Sequence, residues 1–111
     1  MPATLLDRYY AVALQIDCDG VHPDPDRASA RARMAASLKR IDTAIAGAKR
    51  WVGDDLRLVV LPEYVLTGPP WGEGIAAWAD KAALDDDGPE YAAFAQLAQK
   101  ADDQPRSIRL L

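Results

Sequence analysis

A long segment with helical periodicity, residues 25–52, lies between two short apolar segments, and this arrangement most constrains the fold. Its apolar positions recur every three or four residues, as on one face of an α-helix. They are Ala30, Met34, Leu38, Ile41, Ile45, Ala48 and Val52. Asp24 is placed to cap this helix, and Pro25 suits its first position, where an N–H would have no partner. Two basic residues in the last turn and Gly53 after it are typical of a helix end.

The two segments that flank this helix have the composition of buried β-strands. Residues 9–16 read YYAVALQI and residues 56–61 read LRLVVL, so both are mostly apolar and short for a helix. The helical spacing also fits a coiled-coil seam, but strand-like segments on both sides favour a helix that lies on a sheet. A strand, a helix and a second strand in this order predict a parallel pair with a right-handed crossover. The first strand is apolar on both faces, which is typical of a strand covered on two sides.

The second half of the chain continues the alternation. Residues 75–84 are rich in Ala and weakly helical, and residues 89–101 predict a further helix that starts at Pro89 and Glu90. The apolar face of that helix would consist of Tyr91, Phe94, Leu97, Ala98 and Ala101. The last segment, RSIRLL, predicts the start of a third strand. We therefore expect an α/β fold with a β-α-β-α-β start, in a single domain that spans residues 1–111.

Charge and composition exclude several classes of function. The net charge is −4, and no basic block could form a face for phosphate, which argues against a nucleic-acid partner. Arg27, Arg31 and Arg33 lie on an Ala-rich helix and are interpreted as a solvated face. Cys18 is the one cysteine, so no internal disulfide can form and a reducing compartment is expected. The start MPATLLDRYY lacks the features of a signal peptide, and no apolar run is long enough for a membrane span. These observations predict a cytoplasmic protein without a membrane partner.

A lone acid follows the second strand at once. In an open parallel sheet, ligands bind beyond the carboxyl ends of the strands, and Glu63 stands at that edge, directly after Pro62. Apolar neighbours such as Leu61 and Tyr64 are expected to desolvate the carboxylate partly and to raise its pKa toward the range of a general base. The alternative is an ordinary structural acid in a turn between strand and loop, solvated or paired with an arginine. Position by itself does not decide between them.

The sequence around this acid resembles the first catalytic motif of the nitrilase superfamily, the carbon–nitrogen hydrolases. LVVLPEYVLTG has the apolar strand, the Pro-Glu pair, the aromatic and the Thr-Gly turn of that motif. The earlier AVALQ strand, the long helix and the later DGPEYAAFAQLAQKA helix follow in the family's order, so the resemblance covers residues 9 to about 101. It implies an α-β-β-α sandwich, usually assembled as homo-oligomers, of which this chain would be a truncated N-terminal part.

The resemblance also implies a mechanism. The family cleaves nonpeptide carbon–nitrogen bonds of small amide, nitrile or carbamoyl substrates with a Glu-Lys-Cys set, and it uses no metal or organic cofactor. The Cys thiolate attacks the substrate carbon, the Lys stabilises the developing charge, and the Glu acts as general base. On this sequence the resemblance places Glu63 in the last of these roles and matches no residue to the Lys or the Cys. The chain by itself is therefore expected to be inactive, and whether it is an enzyme stays open.

Several other residues are candidates for chemistry. Lys81 and Lys100 do not fit the family's Lys motif and are interpreted as solvated surface groups. Cys18 follows the first strand and would lie near the same sheet edge, but a reactive thiol needs an electropositive setting. His22 is interpreted as a loop histidine near acids rather than a metal ligand, because too few ligands accompany it.

The tryptophans have different expected roles. Trp71, in GPPWGEG, is expected either to line a substrate pocket or to form a packing or subunit contact. Trp51 and Trp78 are expected to be core or partly buried helix residues. The acidic run of residues 85–87 is interpreted as a solvated turn before the next helix.

Two hypotheses of different classes remain open at this stage. The chain is either the first part of a hydrolase or a noncatalytic protein that keeps the opening β-α-β unit and acts by binding; a nonfunctional truncation is a third possibility. Because two apolar strands have few helices to cover them, some apolar surface is expected to stay exposed. This predicts a marginally stable chain, or one that folds as a homo-oligomer.

Overall fold

The computed structural model of the protein describes residues 8–101 and 109–110. Its elements in chain order are β1 (Tyr10–Ala13), α1 (Arg27–Val52), β2 (Leu56–Val60), α2 (Ile75–Ala82), α3 (Pro89–Ala101) and β3 (Arg109–Leu110). The strands form one parallel sheet in the order β1-β2-β3. The predictions of an α/β fold, of a helix over residues 89–101 and of a third strand in RSIRLL are confirmed at this level. The structure has one helix more than the predicted β-α-β-α-β order, because the Ala-rich, weakly helical segment forms α2.

The first strand is shorter than predicted. Residues 9–16 were expected to form it, but β1 spans four residues, and the pairing ends where β2 ends. Leu14 N still donates to Val60 O at 2.9 Å, and beyond this point the chain of β2 runs into Pro62, which has no N–H to offer. The length of β1 is therefore limited by its partner and not by its own composition.

The start of α1 also differs from the prediction. Asp26, and not Asp24, is the N-cap: it has extended backbone angles, and its Oδ1 accepts a hydrogen bond of 2.8 Å from Ser29 N. Pro25 consequently precedes the cap instead of occupying the first helical position. The predicted end is confirmed, because the N–H of Gly53, whose φ is 100°, donates to Lys49 O and closes the helix. Asp24 is released for other contacts, described below.

The core lies where α1, α2 and β2 meet. Its members are Val21, Ala30, Met34, Ile41, Ile45, Leu56, Val59, Val65, Leu66 and Ala82. Four of the seven predicted apolar positions of α1 are buried there, and the other three pack partly against it. Trp78 is partly buried as predicted, whereas Trp51 is 89% exposed and Tyr91 is 52% exposed, so both predictions of burial were wrong. Both aromatics stand on helix faces that none of the described residues cover.

One face of the sheet is open. Val12 pairs with the fully buried Val59 and faces the helices, so by alternation the neighbouring pairs face away. On that side Ala11, Ala13 and Val60 are exposed. The expectation that β1 is covered on two sides is therefore wrong for the described residues. The expectation of exposed apolar surface is confirmed.

Within residues 8–101, none of the helices combines the length and the apolar character that crossing a membrane requires.

Candidate site at the carboxyl edge of the sheet

Glu63 lies in a tight turn directly after β2. The turn is closed by two backbone hydrogen bonds, from Val65 N to Pro62 O at 3.2 Å and from Gly68 N to Tyr64 O at 2.8 Å. Val65 and Leu66 point into the core and anchor the turn. The carboxylate itself is exposed, and so are the neighbouring Val60 and Tyr64. The predicted partial desolvation of Glu63 is thus not observed among the described residues, because the apolar side chains beside it provide no cover.

The loop that follows β1 packs against the Glu63 turn and fixes its position. Val21 N donates to Thr67 O at 2.9 Å, which joins the two loops backbone to backbone. Gly68 has a φ of 64°, and a Cβ built on it would lie 2.6 Å from Gly20 Cα. Only a residue without a side chain allows this approach and this backbone conformation. Glu63 is therefore held in position by a contact between two loops at the carboxyl edge of the sheet.

The loop after β1 is in turn held by an arginine of α1. Arg33 binds Asp24 in a bidentate manner, with Nε to Oδ2 at 2.8 Å and Nη2 to Oδ1 at 3.1 Å. Its Nη1 also contacts Asp19 Oδ1 at 3.1 Å. The hydrogen bond from Arg33 lowers the pKa of Asp24 below its ordinary value. The same hydrogen bond to Asp24 raises the pKa of Arg33. The interpretation of Arg33 as a solvated residue was wrong.

The other two arginines of that series also have partners. Arg31 Nη1 lies 2.6 Å from Oε1 of Glu90, which is 5% exposed at the start of α3. Arg27 Nη1 donates to Asp80 O at 2.9 Å and so ties α1 to α2. Each of these three arginines thus bridges to a different part of the fold, which the Ala-rich sequence around them did not indicate.

Lys81 was predicted to be solvated, and this was also wrong. Its side chain is 11% exposed, and its Nζ donates to His22 O at 3.0 Å and to Asp24 O at 3.1 Å. It also contacts Glu73 Oε1 at 3.3 Å and lies 5.5 Å from the ring centroid of Trp78. In contrast, Lys100 is 71% exposed beside Asp42, as expected for a surface cation. Lys81 therefore belongs to the interior of the loop cluster and not to the surface.

The loop after the Glu63 turn carries an acid that shapes it. Glu73 Oε2 accepts a hydrogen bond of 2.8 Å from Trp71 N, and this bond lowers the pKa of Glu73, with Lys81 acting in the same direction. The Trp71 ring is mostly exposed and lies 6.1 Å from the exposed ring of His22. The same loop and the region of α2 also line a cleft of about 330 Å³, formed by Pro70, Glu73, Ile75, Trp78, Ala79, Ala82 and Ala83. The nearby ring of His22 leaves Trp71 mostly exposed, so both roles expected for Trp71 stay predictions.

The remaining candidates are not assembled into a reactive group. Cys18 is half-buried and packs against the core. Across residues 8–101, His, Cys, Asp and Glu side chains form no cluster of three or more that could hold a metal ion. Among the predicted site residues, Glu63 is thus placed at a sheet edge that is open to a ligand, while Cys18 is turned toward packing.

We expect the Asp24–Arg33 pair to make stability depend on pH. Because the pKa of Asp24 is lower in the folded than in the unfolded chain, its contribution is present above about pH 4 and is lost as the pH falls further. At pH 7, Asp24→Asn should lower the free energy of unfolding by about 1.5–3 kcal/mol, as for a hydrogen bond to a charged group. Urea unfolding from pH 2 to 7 checks this: the difference between Asp24→Asn and the original chain should shrink toward pH 2. The exposed Asp86→Asn is the control, and a difference independent of pH would contradict the account.

Sequence reasoning missed the cluster that supports Glu63, although weak signals for it exist. The glycines in DCDG and VLTG each follow a strand of the same parallel pair, so a close approach of their loops was available as a hypothesis. Lys81 and Arg33 carried no such signal, since a charged residue in an Ala-rich helix looks the same whether it is solvated or paired.

Comparisons of the chain with protein-family models, with curated proteins and with solved structures found no match.

Proposed function

We propose that this chain forms the first part of a carbon–nitrogen hydrolase of the nitrilase type and supplies its general base, Glu63. The full protein would cleave a nonpeptide carbon–nitrogen bond in a small amide, nitrile or carbamoyl substrate. One observation carries the proposal: the Pro-Glu pair of LVVLPEYVLTG stands one residue beyond the end of β2, at the carboxyl edge of a parallel pair. Ligands of open parallel sheets bind at this edge.

The surroundings of Glu63 fit a base that must be both rigid and accessible. The closed turn and the Gly20–Gly68 contact fix the backbone, and the exposed carboxylate leaves room for a reacting group. A general base has to lie within hydrogen-bond reach of the proton that it removes, which a rigid turn favours. Under the proposal, Glu63 becomes desolvated only when further protein or the substrate covers it.

The proposal assigns the nucleophile and the charge-stabilising lysine to residues outside this sequence. Lys81 is engaged by backbone carbonyls of the loop after β1, and Cys18 packs against the core, so neither is offered as part of the set. In the proposed reaction a cysteine thiol gives its proton to Glu63 and attacks the substrate carbon. Glu63 then passes the proton to the leaving ammonia and activates the water that releases the acid product. No cofactor takes part.

The open face of the sheet supports the finer part of the proposal, an α-β-β-α sandwich in a homo-oligomer. Ala11, Ala13 and Val60 are exposed there, and this side carries no helix among the described residues. A second sheet packed on this face would complete a two-layer core. The same face favours a second candidate function, a binding module without catalysis that presents its sheet to a partner protein.

The intact subunit mass and the native mass of the natural protein test this proposal first. From the subunit mass we expect a chain heavier than the 12.1 kDa of this sequence. Reading the coding DNA past Leu111 in all three frames should reveal a lysine motif and a cysteine on a strand-to-helix turn. We further expect an oligomer of at least two subunits. A 12.1 kDa subunit without those motifs in any frame would refute the hydrolase and favour the binding module; a stable monomer would refute the oligomer.

A further inference from the structure

Lys81 has contacts that an ordinary helical lysine lacks. Its Nζ is shared by His22 O, Asp24 O and a carboxylate oxygen of Glu73, at 3.0, 3.1 and 3.3 Å. The side chain is 11% exposed, and its ammonium group lies near the ring of Trp78. Ordering a long side chain and removing its charge from water are both costly, so this position is stable only because several acceptors replace the water.

The acceptors come from the two loops that meet at the carboxyl edge. His22 and Asp24 belong to the loop after β1, while Glu73 belongs to the segment that follows the Glu63 turn. Oε2 of Glu73 is bound to Trp71 N, so the lysine holds that segment through the carboxylate. One side chain of α2 thus fastens both loops at once.

A short path of contacts joins this lysine to the Glu63 turn. Next to His22, Val21 N donates to Thr67 O, and Gly20 supports Gly68. Thr67 and Gly68 end the turn that begins at Pro62, and the bond from Gly68 N to Tyr64 O closes it. A shift of the loop after β1 would therefore be passed to the turn through backbone contacts, which have little room to yield.

We infer that Lys81 is a positioning residue for Glu63: it clamps the loop after β1 against the turn that carries the carboxylate. The importance of this position for a reaction rests on the proposed function, but the clamp itself does not. Arg33 holds the same loop through the side chains of Asp19 and Asp24, whereas Lys81 binds its backbone. Loss of Lys81 should consequently loosen the turn without unfolding the helices.

Amide hydrogen exchange of the full chain measures this clamp. Lys81→Met keeps the apolar stem and removes the charge, Lys81→Arg keeps a charged donor, and Lys100→Met removes an exposed cation as the control. The amides of Val21 and Gly68 report on the two loops, and those of Ile41 and Ile45 in the buried part of α1 report on global unfolding. We expect exchange at Val21 and Gly68 to be at least about tenfold faster in Lys81→Met, with the α1 amides unchanged. Lys81→Arg should restore much of the protection, and Lys100→Met should change nothing.

Two results of the exchange experiment would overturn the inference. One is unchanged exchange at Val21 and Gly68 in Lys81→Met; the other is an equal rise at these amides and in α1, which would mean a general loss of stability. If the longer protein hydrolyses amides, Lys81→Met should lower kcat with KM nearly unchanged, and a change in KM with kcat intact would also count against it. Absence of hydrolysis would refute the proposed function and leave the exchange result to decide the role of Lys81.

Discussion

Replacing Glu63 with glutamine is expected to abolish hydrolysis in the complete protein while leaving stability almost unchanged. The amide keeps the shape of the side chain but cannot accept the proton, so kcat/KM should fall by about 10²–10⁴-fold, the contribution typical of general base catalysis. Glu63 is exposed and forms no ion pair with another of the described residues. The free energy of unfolding should therefore change by less than about 0.5 kcal/mol. Turnover of small amides and urea unfolding of the same variant check the two parts.

Asp86→Asn is a matched control for this variant. It removes the same charge from another exposed carboxylate, in the turn that precedes α3, far along the chain from β2. Its activity should equal that of the original protein. Retained activity in Glu63→Gln would remove Glu63 from the mechanism. If the chain is instead a binding module, Glu63→Gln should leave partner binding nearly unchanged, so the two hypotheses give opposite results.

Replacing Gly68 with alanine should cost the most stability of the loop substitutions that the structure suggests. The backbone φ of 64° disfavours any residue with a Cβ by about 1 kcal/mol, and the new methyl group would stand 2.6 Å from Gly20 Cα. Since a backbone atom cannot move aside as a side chain can, we expect a total loss of about 3 kcal/mol in the free energy of unfolding. Urea unfolding measures the loss, and the amide signals of Tyr64 and Val65 should shift because the Glu63 turn is displaced.

Gly72→Ala separates the two causes. Gly72 also has a positive φ, 93°, but a Cβ there meets nothing within 4 Å. It should therefore cost only the backbone part, about 1 kcal/mol. Equal losses in the two variants would mean that the contact between Gly20 and Gly68 has no energetic weight. The clamp at the carboxyl edge would then have to rest on the hydrogen bond between Val21 and Thr67 and on Lys81.

The regular elements were largely predictable because their signals are local. The spacing of Met34, Ile41 and Ile45 identifies a helix and its buried face, since side chains three or four apart share a face whatever the helix packs against. The apolar run before Pro62 likewise identifies β2 and places Glu63 at its end. The N-cap was misplaced by two residues, from Asp26 to Asp24, because both aspartates precede the helix and only the backbone angles distinguish them.

Local sequence signals were enough to predict the β-α-β order, the helix over residues 89–101 and the location of Glu63 at the carboxyl end of a strand. Which charged side chains are interior depends on the packing of the whole chain: Arg33 and Lys81 find their acceptors in the loop after β1, and Arg31 finds its own in α3. The same packing leaves Trp51 and the face of the sheet with Val60 exposed. The reason is physical, since periodicity depends on neighbours along the chain, whereas the burial of a charge depends on partners as far as 59 positions away.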